Sequence, residues 1–184
     1  MPWSPEQKLQ SRERILSSAA RLFTQQGFDN VGIDEVMADA GMTRGAFYSH
    51  FASKSALYAE SIATAARQAY CEVQGDTEEP NLNQVVERYL SEEHRRGERI
   101  NCPLALLISD IGQRDDNVRD VYTRIFKGFV GLLGERSGVE RDVALQQAVL
   151  IIGGMAVSRA LSDDETAQEL LKACQAGAID LKNR

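Results

Sequence analysis

Between positions 43 and 54 the chain carries residue types that contact nucleic acids: Thr43, Arg44, Gly45, Tyr48, His50 and Lys54. An arginine fork can take both acceptors on a guanine edge, while tyrosine and lysine suit phosphate oxygens. Phe47 and Phe51 lie one helical turn apart, so both can turn to one side and anchor the segment in a core. The polar set is left nearer the outer side. Thr43 can cap the start of such a helix through its hydroxyl. Ser53-Lys54-Ser55 then opens another helix with a second phosphate-binding group. The alternative is an ordinary helical hairpin whose charged face is only solvated.

A second chemistry centres on Cys102. Pro103 suits the first position inside a helix, which puts Cys102 at the cap. Unpaired backbone N–H groups and the positive end of the helix dipole stabilise a thiolate there. Arg95, Arg96 and Arg99 lie just before it. This predicts a thiol that responds to oxidants or electrophiles; the plainer reading is a buried cysteine acting as a small hydrophobe. An all-helical enzyme with Cys102 as nucleophile and His94 as base is a third reading. It is weakened by the break at Gly97 between them and by the lack of a third orienting residue. Cys71 and Cys174 read as packing residues and His94 as a surface histidine. No His, Cys or carboxylate spacing suggests a metal site, and no cofactor is expected.

The chain has 184 residues, enough for one sizeable core or for a small domain plus a larger one. Its net charge of −6 excludes a basic nucleic-acid coat but not a local DNA contact. Met1–Glu60 holds six Lys+Arg and seven Asp+Glu, a balance of −1, so the remaining −5 lies elsewhere. Three unpaired cysteines suit a reducing cytosol better than a disulfide scaffold. The N-terminus Met-Pro-Trp-Ser-Pro-Glu lacks a signal-peptide pattern, and the apolar stretch Ala148 to Val157 is too short to span a bilayer. A cytoplasmic protein is expected.

Apolar periodicity predicts an all-α chain of about nine helices. The first runs from about Gln7 to Gln26, after a loose arm, with Ile15, Leu16, Ala19, Ala20, Leu22 and Phe23 inward and Gly27 as a left-handed cap. Ile33 to Ala40 and a short helix from Thr43 follow, joined by a tight turn at Gly41 that matches helix-turn-helix geometry. A long helix from Ser53 to about Gly75 is inward at Ala56, Leu57, Ile62, Ala66 and Tyr70. Asp76 to Pro80 reads as a loop. Later helices are predicted from Asn81 or Asn83 to Gly97, from Pro103 to about Gly112, from Asp115 to Gly134 and from Val139 to Leu161. Ser162-Asp163-Asp164-Glu165 reads as a capping box for the last one.

Arg14-Ile15-Leu16, Leu22-Phe23, Gly27-Phe28, Ile33-Asp34-Glu35-Val36, Ala40-Gly41 and the run Thr43 to Leu57 occur in that order. In this the first sixty residues resemble the DNA-binding domain of the TetR/AcrR family of bacterial transcriptional regulators. The resemblance implies an N-terminal three-helix helix-turn-helix domain, residues 1–54, and a C-terminal helical bundle for ligand binding and dimerisation, residues 55–184. It implies base and nearby backbone contacts at Thr43, Arg44 and Gly45, and phosphate contacts at Tyr48, His50 and Lys54. Gly32 departs from the pattern, since members often carry Ser or Thr there. The further implications are a palindromic double-stranded DNA operator and a homodimer through about residues 139–180. Ala148, Gly153, Gly154 and Ala156 would let two chains approach closely. Tyr89, Leu107, Tyr122, Phe126 and Phe129, with Cys102, would line an effector cavity, the aromatics otherwise being plain core. The implied function is a dimeric repressor released by a small molecule or by modification of Cys102, with an effector-free DNA-binding scaffold as a further reading.

Overall fold

The computed structural model describes residues 4–76, 79–98 and 101–183, so Arg99 lies outside the described residues. Helix α1, Pro5–Gln26, starts earlier than periodicity suggests. The Ser4 hydroxyl accepts from the Gln7 N–H at 3.2 Å and the Gln7 side chain accepts from the Ser4 N–H at 3.0 Å. That reciprocal cap, with Pro5 at the first helical position, fixes the segment expected to be a loose arm. Gly27 closes the helix with φ 79° and ψ 171°, outside the left-handed helical region expected of it.

Helices α2, Ile33–Asp39, and α3, Arg44–Phe47, are joined at Gly41, which has φ 69°. A Cβ at Gly41 would stand 2.8 Å from Arg14 Nη2, and that guanidinium donates to the Ala40 carbonyl at 2.6 Å. The turn therefore needs glycine on two counts, left-handed backbone and lack of room. Helix α4, Lys54–Gln74, is capped by Ser53, whose hydroxyl accepts from the Ala56 N–H at 3.0 Å.

Two cores meet along α4. Leu57, Tyr58 and Ile62 pack with Ile15, Phe23, Val36, Met37, Phe47 and Phe51 in the first. Ala69 and Val73, further along the helix, belong to the second, built by the C-terminal helices. Tyr70, expected inward, is exposed.

Two predicted helices are each broken into two. The stretch after Asn81 stops at Leu90, giving α5, Leu82–Tyr89, and α6, Glu92–Arg96. The Ser91 hydroxyl accepts from the His94 N–H at 3.2 Å and restarts the helix as a cap. The segment after Cys102 forms α7, Pro103–Leu106, and α8, Ile108–Ile111, with a break at Leu107. Leu104 and Ala105 turn into the C-terminal core, whereas Leu107 and Ile111 turn into the N-terminal one. One continuous helix cannot face both, and Ile108, expected inward, is exposed.

Helices α9, Asp116–Ser137, α10, Arg141–Ala160, and α11, Asp164–Asp180, complete the bundle. The last is capped by Asp163, which accepts from the Thr166 N–H at 2.9 Å, and not by the expected Ser162/Glu165 box. The described residues thus form eleven α-helices and a short 3-10 turn, Leu181–Asn183, without a strand. By length and composition α10 could cross a membrane, unlike the shorter apolar run read from sequence. Here it is the central helix of the bundle, with Ala148, Ile151, Ile152 and Met155 in the core.

Candidate nucleic-acid interface and internal cavity

Helix α3 is held by Phe47, which is fully buried and stacks on Phe51 at 5.8 Å between ring centroids. With that side fixed, Thr43, Arg44, Gly45 and Tyr48 all reach solvent. Thr43 stands at the helix cap but makes no capping bond, so the expected role of its hydroxyl is not used within the chain. Tyr48 packs edge-on against Phe47 at 5.1 Å, yet remains 63% exposed. A Cβ on Gly45 would meet nothing within 4 Å, so the gap faces open space.

The Arg44 side chain is 61% exposed and bonds the Asp34 carboxylate of α2 at 2.6 Å. The Tyr48 hydroxyl and Asp34 both hold its proton more firmly than usual. The guanidinium is therefore steered by a neighbour the sequence reading left out. A phosphate or base that engages Arg44 must compete with a solvated pair, a small cost at such exposure.

His50 and Lys54 differ from these four. His50 is half-buried beside Phe51, and burial followed by Lys8 and Arg12 lowers its pKa, so the ring is neutral at pH 7. A neutral imidazole can donate one hydrogen bond to a phosphate but adds no charge. Lys54 lies over the Phe28 ring at 4.2 Å, and Arg114 lies over the same ring at 4.8 Å. Burial, opposed by Asp29, pulls the Lys54 pKa down. Gly32 caps α2 without a side-chain bond.

Helix α4 and the turn after α1 are strapped to α8 and the residues after it by polar contacts that no sequence pattern signals. The Tyr58 hydroxyl donates to Asp110, and Arg114 bridges Asp29 at 2.9 Å and Asp110 at 3.5 Å. Ser55 of α4 donates to Asp115, the cap of α9.

In the second core, a cavity of about 280 Å³ lies between α4, α5, α7 and α9. Tyr89 and Cys102 line it as expected, joined by Phe129, Leu104 and Tyr70. Leu107, Tyr122 and Phe126 do not. Leu107 faces the other core, Tyr122 donates to the Leu104 carbonyl at 2.8 Å, and Phe126 packs against the bundle. The resemblance implied one cavity lined by all of them, but the break at Leu107 and their positions around α9 divide them.

Cys102 is 5% exposed. The Leu104 and Ala105 N–H groups do favour its thiolate, as the cap position predicts, and so does the Tyr89 hydroxyl. Burial outweighs all three and pushes the thiol up. The lowered pKa that a reactive sensor needs is absent. His94, expected at the surface, is fully buried, with Nδ1 2.6 Å from the Tyr89 carbonyl oxygen and its pKa lowered to about 4 by burial. Cys71, expected to pack, is exposed, whereas Cys174 is buried against Gly154.

The small residues of α10 also divide. A Cβ on Gly154 would sit 2.7 Å from Cys174 Sγ, so this glycine serves the contact with α11 inside the chain. A Cβ on Gly153 would meet nothing within 4 Å.

Residues 15–61 match the family model for bacterial regulatory proteins of the tetR family. The matched segment spans the second half of α1, all of α2 and α3, and the start of α4. The chain is 47% identical over 51 residues to the HTH-type transcriptional regulator AcrR of Shigella flexneri. That match covers 28% of this chain and 24% of AcrR, so the chain spans about a quarter of that relative's length. Likeness to the uncharacterised HTH-type regulator YxaF of Bacillus subtilis is 23% identity over 150 residues, covering 77% of this chain and 78% of YxaF. Among solved structures, E. coli NemR in its reduced form has a TM-score of 0.73 at 18% identity, covering 93% of this chain and 96% of NemR. A TetR-family regulator from Cytophaga hutchinsonii has the same TM-score at 16% identity and covers 97% of that chain and 100% of this one. These two share the fold over nearly the whole length, the C-terminal bundle included.

Proposed function

We propose that this tetR-family chain is a dimeric transcriptional repressor of the cytoplasm that reads a palindromic operator and is released by a small molecule. The observation that carries the DNA reading is the set Thr43, Arg44, Gly45 and Tyr48, exposed together on a short helix whose other side is locked by Phe47. Arg44 reads a base edge, Tyr48 and Lys54 hold phosphates, and neutral His50 adds at most one hydrogen bond. One such helix reads too few base pairs for useful specificity, whereas two related by a dimer axis read a palindrome.

The outer face of α10 and α11 supports the dimer. Val149 and Val157 are 64% and 52% exposed, with Gly153 between them. Ala173, Ala176 and Gly177 form the matching small-residue stripe on α11. Large exposed aliphatics beside glycine and alanine suit two helix pairs packed closely across a two-fold axis.

The 280 Å³ cavity is the effector site in this reading, and its presence weighs against an effector-free scaffold. A bound small molecule is favoured over thiol modification because Cys102 is buried and its thiol is pushed up. Release by a cavity ligand should therefore survive Cys102→Ser. His94 turns Nδ1 to the Tyr89 carbonyl and its Nε2 has no hydrogen-bond partner among the described residues, which weighs against the nucleophile-base pair of the enzyme reading.

Footprinting of purified protein on its genomic DNA tests the proposal. The expected result is a protected palindrome with half-sites about one helical turn, or a multiple of it, apart. A folded protein that protects no sequence, or only an isolated half-site, would overturn it.

A further inference from the structure

The cavity has a mouth. It shares Ala66, Tyr70 and Ile125 with a wider groove of about 700 Å³ that runs outward between α4 and α9. The two spaces form an inner chamber and a vestibule. No residue lining the chamber carries a formal charge, and its polar groups are two phenols and one thiol. A ligand's ionised group buried there would lack a partner, at a large cost.

The vestibule is different. Arg67, Arg124 and Glu60 line it. Glu60 is paired with Arg12 of α1, which neutralises the single carboxylate there. Arg67 bonds only the Thr64 hydroxyl, at 3.0 Å, and among the described residues neither arginine has an ion-pair partner. Two unpaired guanidiniums line the groove that adjoins an uncharged chamber. Guanidinium forks match carboxylates in shape and hydrogen-bond them in pairs.

We propose that the effector is an amphipathic carboxylate. Its apolar body fills the chamber between Val73, Leu104 and Phe129, and its carboxylate meets Arg67 and Arg124 in the vestibule. Tyr70, exposed at the junction, flanks the point where body and head join. The proposal rests on the reading of this cavity as the effector site. It adds the class of ligand and the residues that select it. A chamber just below the usual size range, about 300–1,000 Å³, suits a single chain or ring and not a large drug-like molecule.

The test compares decanoate with decanol, both below the concentration at which they aggregate, on the full-length protein by calorimetry. Decanoate is expected to bind about tenfold more tightly than decanol. The double variant R67A/R124A should lose that preference while still binding decanol as before, a result that misfolding would not give. Leu132→Trp, which fills the chamber from a half-buried position, should weaken both ligands. Equal affinity for acid and alcohol overturns the proposal, and so does undiminished decanoate binding by the double variant. Operator release separates the two levels of the argument. Release by decanol but not decanoate rejects the acid class and keeps the cavity as effector site. Binding of decanoate without any release keeps the ligand class and removes the regulatory role of the cavity.

Discussion

Helices α3 and α7 are both four residues long, and both follow a polar residue that makes no capping bond, Thr43 in one case and Cys102 in the other. Their environments are opposite. Helix α3 buries one ring, leans Ala46 on the same core and leaves Arg44 in solvent, so Arg44 keeps its charge and its reach. Helix α7 buries Pro103, Leu104 and Ala105, and Cys102 with them. Similar local geometry yields an exposed cation in the first and a protonated, buried thiol in the second. What a helix start does chemically is decided by what covers it, and sequence spacing does not report that.

The contrast between buried and open positions can be broken most directly at two adjacent glycines. Gly154→Ala forces a methyl against Cys174 and should destabilise the bundle by about 1–3 kcal/mol in urea unfolding, as overpacked cores do. Cys174→Ala should recover only part of that, because it removes the sulfur but leaves the Cys174 Cβ 2.9 Å from the new methyl. Gly153→Ala meets nothing within the chain, so it should leave monomer stability equal or up to about 1 kcal/mol higher. If the outer face of α10 is the dimer contact, the same change should raise the dimer dissociation constant. Unaltered dimerisation would move the interface elsewhere.

His94 offers a pH version of the comparison. Its folded pKa, about 4, lies below the ordinary 6.5. Between these values the unfolded chain binds a proton that the folded chain excludes, so stability falls as pH drops from about 6.5 to about 4. The loss approaches roughly 3 kcal/mol at the low end, and denaturant midpoints measured across that window should flatten in His94→Gln. His50 also has a lowered pKa but is only half-buried, so His50→Gln should flatten the profile much less.

On the open side, Arg44→Ala should cost roughly 1–3 kcal/mol of operator affinity with little change on random DNA, read by fluorescence anisotropy. Equal loss on both sequences would make Arg44 a phosphate contact. The smallest effect is expected at Lys54, already held over Phe28. Lys54→Ala should weaken all sequences alike and reduce the log–log salt slope by about 0.9.

The N-terminal region was legible because its signals are local. Gly41 marks a left-handed turn, Phe47 and Phe51 mark a buried side, and the residues between them are left outside. The straps were not legible: Tyr58 and Asp110 are far apart in sequence, and no periodicity pairs them. The C-terminal region was legible in helix number only up to its breaks. Ser91 and Leu107 each stop a helix whose apolar pattern continues, because the chain must there turn from one set of neighbours to another. His94 reads as a surface residue beside Arg95 and Arg96, and only the short α6 folds it inward.

The break at Leu107 bears on how such a protein can be altered. Leu104 lines the chamber, and three residues later Leu107 is fully packed among the helices that carry α3. A change at Leu104 that reshapes the chamber is therefore also a change in how the N-terminal helices are seated. The opposite wall, Phe129 and Leu132 on α9, has no such second duty, and a library aimed at new chamber ligands belongs there.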